Sequence, residues 1–145
     1  TKYDYETIGF NARIDGIQAA VLLEKMQHYT DWNEQKRQKA DVYNDQLLAK
    51  TPLTRLHCLH SYYVYVIQVP ARDDFILYMQ EQGISTNIHY KKPLNTNQPY
   101  YPYQPCSRTE WVCNQIVSLP CYYSLTESEQ SYIIDHVNNW VKQYN

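Results

Sequence analysis

Two short segments carry residue types from which a binding site can be built. The first is Gly9-Phe10-Asn11-Ala12-Arg13-Ile14-Asp15, set just ahead of a helix. Asn11 offers a neutral amide and Arg13 a cationic fork, a pair suited to holding phosphate near a helix start. The plainer use of the same residues is local, with Asn11 closing a turn and Arg13 pairing with Asp15 or another carboxylate. The second segment is Ile88-His89-Tyr90-Lys91-Lys92-Pro93-Leu94, where a strand feeds a long loop. His89 and Tyr90 can donate hydrogen bonds, and Lys91 and Lys92 can meet a phosphate-bearing substrate. Loops at strand ends are also where ligands gather. Here the plainer use is His89 closing the strand and two solvated lysines. Residues alone point to an anionic-ligand surface and no further.

Other chemistry is not signalled. The chain has no GxSxG, HExxH, GxxxxGK or GxGxxG motif. Cys58, Cys106, Cys113 and Cys121 form no CxxC pair and no zinc-like spacing, so free thiols in a reducing cytoplasm are expected, with no metal site. The carboxylates fall mostly on solvated helix faces, where pairing or capping accounts for them. A formal charge of −2 with no basic run excludes a nucleic-acid footprint. No apolar run reaches the roughly 20 residues a membrane span needs. The 16 tyrosines against three glycines fit a bias in residue usage as well as any function. The chain opens on Thr1 rather than Met, which suggests an excised or processed piece.

The elements that must position these segments follow from periodicity. Asp15 is expected to cap a helix running to about Tyr29. Ala19, Leu22, Leu23 and Met26 form one stripe, with Ile17, Ala20 and Val21 beside it. Apolar around so much of its girth, this helix is expected to lie between two partners. A second helix is expected from Asp31 to about Lys50, ended by Pro52. Trp32, Ala40, Tyr43 and Leu47 should point inward, and Lys36, Arg37 and Lys39 into water. Tyr62 to Val69 reads as a strand. A short helix then opens at Asp73 or Asp74 with Phe75, Ile76 and Met79 inward, and Gly83 stops it. Ile84 to Tyr90 alternates as a strand, and 91–105 reads as a loop. Ser107 to Asn114 is a short helix and Ile116 to Leu119 a brief strand. Thr126 and Glu129 make a capping box for a last helix spaced by Ile133, Val137, Trp140, Val141 and Tyr144. Two long helices followed by a small, mostly antiparallel sheet with helices packed on it make an α+β class.

Taken in order, four blocks resemble the DegT/StrS-type sugar aminotransferase family. They are Ile8 through Asp15 with Gln18-Ala19-Ala20, Trp32-Asn33-Glu34, Gly83 through Tyr90, and Ser118-Leu119-Pro120 followed by Leu125-Thr126. The resemblance implies the C-terminal part of a pyridoxal-phosphate enzyme of the aspartate-aminotransferase fold, a cytoplasmic homodimer. It would move an amino group from glutamate to a nucleotide-linked keto-sugar, in polysaccharide or secondary-metabolite synthesis. Residues 1–50 would then bridge to a large domain and the dimer partner, and residues 51–145 would form the C-terminal small domain.

By the same resemblance Asn11 reaches the cofactor phosphate of the other subunit, with Arg13 the next candidate. His89, Tyr90 and Lys91 lie toward the nucleotide sugar. The family's cofactor lysine, the aspartate under the pyridine ring and the stacking aromatic belong upstream of these blocks. None of the eight lysines here stands in the corresponding motif, so no catalytic residue is assigned. Two positions depart from the family pattern: Lys91 stands where Pro often follows His-Tyr, and Asn95 where His follows Pro-Leu. Covalent catalysis needs an amine to take the cofactor and shuttle the proton, so the chain alone is expected to be inactive. The competing reading is a binding or scaffold module that kept the small domain after losing catalysis.

Overall fold

The computed structural model describes residues 9, 13–51, 59–97, 102 and 105–144. Five α-helices and two strands follow one another as α1 (Gly16–Met26), α2 (Tyr29–Gln46), β1 (Tyr65–Gln68), α3 (Arg72–Glu81), α4 (Ser107–Cys113), β2 (Ile116–Leu119) and α5 (Glu127–Gln143). The two strands pair antiparallel, Tyr65 opposite Leu119 and Gln68 opposite Ile116. Both faces of this ribbon are covered. Tyr65, Ile67, Val117 and Leu119 join the main core with α2, α3 and α5, while Val66 and Ile116 meet Ile88 on the other face. The α+β class is as expected, with the sheet reduced to two strands.

Helix α1 starts as its sequence dictates, the Asp15 carboxylate accepting the Gln18 N–H at 2.8 Å. None of its residues is buried: Ile17 is 81%, Leu23 67% and Met26 65% exposed. An apolar helix left in water calls for a partner surface. The chain is therefore expected to self-associate at high concentration, and replacing Leu22 and Leu23 together by Glu should return it to monomer. Light scattering that finds the unaltered chain strictly monomeric would count against this.

Helix α2 buries Ala40 and Tyr43, with Trp32 and Leu47 half-buried. Lys36, Arg37 and Lys39, expected in water, are half-buried, which suits long side chains that lay their stems along apolar surface. The helix stops at Gln46 rather than Lys50, and its end is set across the fold. The Asn138 side chain of α5 donates to the Gln46 carbonyl at 2.9 Å and accepts the Leu48 N–H at 2.8 Å. Pro52, the expected stop, lies outside the described residues.

Strand β1 begins three residues later than expected because Tyr62 takes a left-handed φ of 44°, off the extended path. Helix α3 is not capped by Asp73 or Asp74. Its N-cap is Ala71, with no side-chain bond, and both aspartates sit in the first turn, where carboxylates favour the helix dipole. Its end is as expected. Gly83 at φ +73° lets its own N–H reach the Gln80 carbonyl and the Ile84 N–H reach Met79, a double closure that wants a residue without Cβ.

The segment after Gly83 is not a strand. Ile84 and Ile88 are buried and Ser85 exposed, so the alternation survives, but pairing is confined to one bridge, Asn87 with Ser118. The Asn87 side chain takes the Ile88 N–H at 2.8 Å, a local bond that competes with a ladder. The expected loop contains a 3-10 turn at Leu94–Thr96. Helix α5 carries the full capping box, with Thr126 Oγ1 accepting the Glu129 N–H and Glu129 accepting the Thr126 N–H. Ile133, Val137, Trp140 and Val141 are buried, whereas Tyr144 is half exposed.

Candidate functional site

Three segments enclose a groove of about 730 Å³. One wall is the run from Gly83 to Asn87 with His89. The floor is Ser118 and the chain leading on to Tyr122, and the far wall is the start of α5, with Leu125, Ser128, Glu129 and Tyr132. The ribbon places Ser118 on the same face as Val66, and its main chain exchanges both bonds with Asn87, at 3.2 and 2.7 Å. That bridge brings the half-buried His89 over β2, its Nδ1 2.9 Å from the Ser118 hydroxyl. Tyr90 is exposed and stands edge-on to the imidazole at 5.5 Å, across a cis peptide.

The groove offers hydroxyls from Ser85 and Ser128, the Asn87 amide, one imidazole and one carboxylate. Thr126 holds the Glu129 carboxyl below its ordinary range through bonds from its hydroxyl and main-chain N–H, at 2.7 and 2.8 Å. This anion is therefore fixed at neutral pH. Burial pushes the Cys121 thiol up to about 11, so it lines the groove as a neutral group. The Thr109 hydroxyl holds the exposed Cys106 thiol below its ordinary pKa, and no group of three or more His, Cys, Asp or Glu able to hold a metal ion occurs among the described residues.

The sequence-derived residues are only partly brought together. His89 and Tyr90 touch. Lys91 is exposed and lines a neighbouring depression of about 560 Å³ with Asp73, Ile76 and Leu77, on the far side of Thr86 and Asn87. Arg13 is exposed ahead of α1. The expected local alternative, an Arg13–Asp15 pair, is not formed; the described ion pairs are Arg37–Glu34 and Arg72–Asp73. Asn11 lies outside the described residues. Sequence reasoning missed Ser118 and Glu129 as site residues. Both stood inside quoted motifs, but as a family block and as a helix cap.

The profile of the DegT/DnrJ/EryC1/StrS aminotransferase family matches residues 1–138. The chain belongs to that family. Among its relatives, a pleiotropic regulatory protein of Geobacillus stearothermophilus is 29% identical, over 99% of this chain and 41% of the relative. A dTDP-3-amino-3,6-dideoxy-α-D-galactopyranose transaminase of Aneurinibacillus thermoaerophilus is 30% identical, over 96% of this chain and 40% of the relative. In structure the chain is similar to a family aminotransferase from Brucella abortus, with TM-score 0.81, 33% identity, and coverage of 97% of this chain and 39% of that one. It is equally similar to S. venezuelae DesV in complex with a ketimine intermediate, with TM-score 0.81, 28% identity, and coverage of 98% and 40%. The chain thus spans about 40% of the length of these relatives.

Pyridoxal phosphate is the cofactor of the intact enzymes of this aminotransferase family. The groove described here does not fit it as a self-contained site. Among the described residues no lysine or arginine lines the groove, and the charge fixed there is the Glu129 carboxylate, which repels a phosphate.

Proposed function

We propose that this chain is the C-terminal part of a transaminase that moves an amino group from glutamate to a nucleotide-linked keto-sugar. The match over residues 1–138, at about 40% of the relatives' length, carries the reading. In the intact homodimer, residues 1–50 bridge to the large domain and the partner subunit, and residues 51–145 form the small domain. Asn11, supported by Arg13, meets the cofactor phosphate of the other subunit. His89, Tyr90 and Lys91 face the nucleotide sugar, the two sides of the 84–91 segment opening onto two depressions. Chemistry belongs to the longer polypeptide, in the cytoplasm, in the synthesis of a polysaccharide or a related glycoconjugate.

What this chain's residues do in that setting is bind and orient. Hydroxyl and amide groups along the groove suit a hydroxylated ring, and Lys91 offers positive charge beside it. The second reading, a non-catalytic binding or regulatory module, draws support from the relative known as a pleiotropic regulatory protein. Sequencing the DNA that leads into Thr1 separates the two. An open frame encoding a large domain with the cofactor lysine is expected. A frame that encodes an unrelated domain, or none, would overturn the enzyme reading.

A further inference from the structure

We infer that Ser118 is a positioning residue. Its hydroxyl holds His89 Nδ1 so that the ring carries its proton on Nε2 and presents that N–H to a ligand in the groove. Ser118 is 5% exposed, and its main-chain N–H and carbonyl are both spent on Asn87. Its hydroxyl has one neighbour able to accept a proton among the described residues, His89 Nδ1 at 2.9 Å. If the imidazole donated instead, the buried hydroxyl proton would be left without an acceptor, at a cost of about 1–3 kcal/mol. Donation by Ser118 satisfies both groups and fixes the tautomer, since the atom that binds one ring nitrogen decides what the other can do. Nε2 has no partner among the described residues, and His89 lines the groove. A neutral N–H aimed at bound substrate suits a carbonyl, hydroxyl or phosphate oxygen.

The backbone makes this placement reproducible. The Asn87–Ser118 bridge locks the two segments in register, and the next residue but one from Asn87 is His89. The Tyr90 ring stands perpendicular to the imidazole, at 89°, and limits its rotation from the other side.

The inference rests on the reading of His89 as substrate-facing, and the test separates the two. Nitrogen NMR of the 145-residue chain at about pH 8.5, above the ordinary imidazole range, reports the tautomer of each histidine, with His89→Ala assigning the signal. The unaltered chain should show His89 protonated on Nε2. Ser118→Ala should give a mixture of both tautomers, and Ser118→Thr, which keeps the hydroxyl, should restore the single form. An Nδ1-protonated ring in the unaltered chain, or a tautomer untouched by Ser118→Ala, overturns the inference. The first result needs no change at Ser118, so a Ser118→Ala chain that failed to fold would not shield it. Millimolar dTDP-glucose should then shift the His89 Nε2 signal. If the tautomer is as stated and that signal does not move, the substrate-facing reading fails while the positioning bond stands.

Discussion

Incubated with pyridoxal phosphate, glutamate and a keto-sugar nucleotide, the 145-residue chain is expected to give no turnover above buffer. Enzymes supply accelerations of about 10⁶-fold or more, and with pyridoxal phosphate the protein's covalent part in that falls to a lysine amine that forms the Schiff base. Among the described residues the groove is lined by no lysine, the charge fixed there is negative, and the Cys121 thiol is kept neutral by burial. Groups that act as a unit do not contribute in fractions, so half of a site does not give half of a rate. Coupled detection of the glutamate-derived keto acid checks this, and clear turnover would overturn it.

Replacing Tyr43 by Ala should remove a large share of the fold's stability. Its side chain is fully buried, its ring lies 4.9 Å from Tyr65, and its hydroxyl donates to the Pro120 carbonyl at 2.8 Å. That one residue ties α2 to β1 and to the chain leaving β2, the floor of the groove. Truncating a buried aromatic costs about 3–5 kcal/mol, against a total of about 5–15 kcal/mol for a domain. Tyr43→Phe keeps the ring and loses the hydroxyl bond alone, at about 1 kcal/mol. Urea unfolding followed by circular dichroism reads both. An Ala variant within about 1 kcal/mol of the parent, well below the usual cost of truncating a buried aromatic, would contradict the packing described.

Local rules made much of this fold legible. The Thr126–Glu129 box and the spacing from Ile133 to Val141 placed α5, and Gly83 placed the end of α3, because each signal lies within a turn of the structure it sets. Misreadings arose where a distant residue decides or where a residue departs from its usual local habit. Helix α2 ends on Asn138, about ninety positions away, which no periodicity in α2 reveals. The strand expected at 84–90 lost its ladder to a side chain of its own, Asn87. The start of β1 turned on a left-handed Tyr62, a conformation that an aromatic rarely takes.

The candidate site divides in the same way. His89 and Tyr90 were recognisable as a motif, and so was the Ser-Leu-Pro block, but not that the first depends on the second. Contact between them needs the bridge at Asn87, a product of tertiary folding. Lys91, two positions past His89, lines the neighbouring depression instead, because the chain turns at His89 and Tyr90 and the alternation of an extended segment does not carry through. Helix α1, expected between two partners from its apolar girth, has no buried residue.

The claim beneath the whole account is that a coenzyme housed on another polypeptide segment is held by its phosphate from Asn11. Cofactor retention in the full-length enzyme, measured by equilibrium dialysis for Asn11→Ala against the parent, tests it most directly. Losing a hydrogen bond to a charged phosphate should weaken retention about 10- to 100-fold. A dissociation constant unchanged by the substitution would contradict the account.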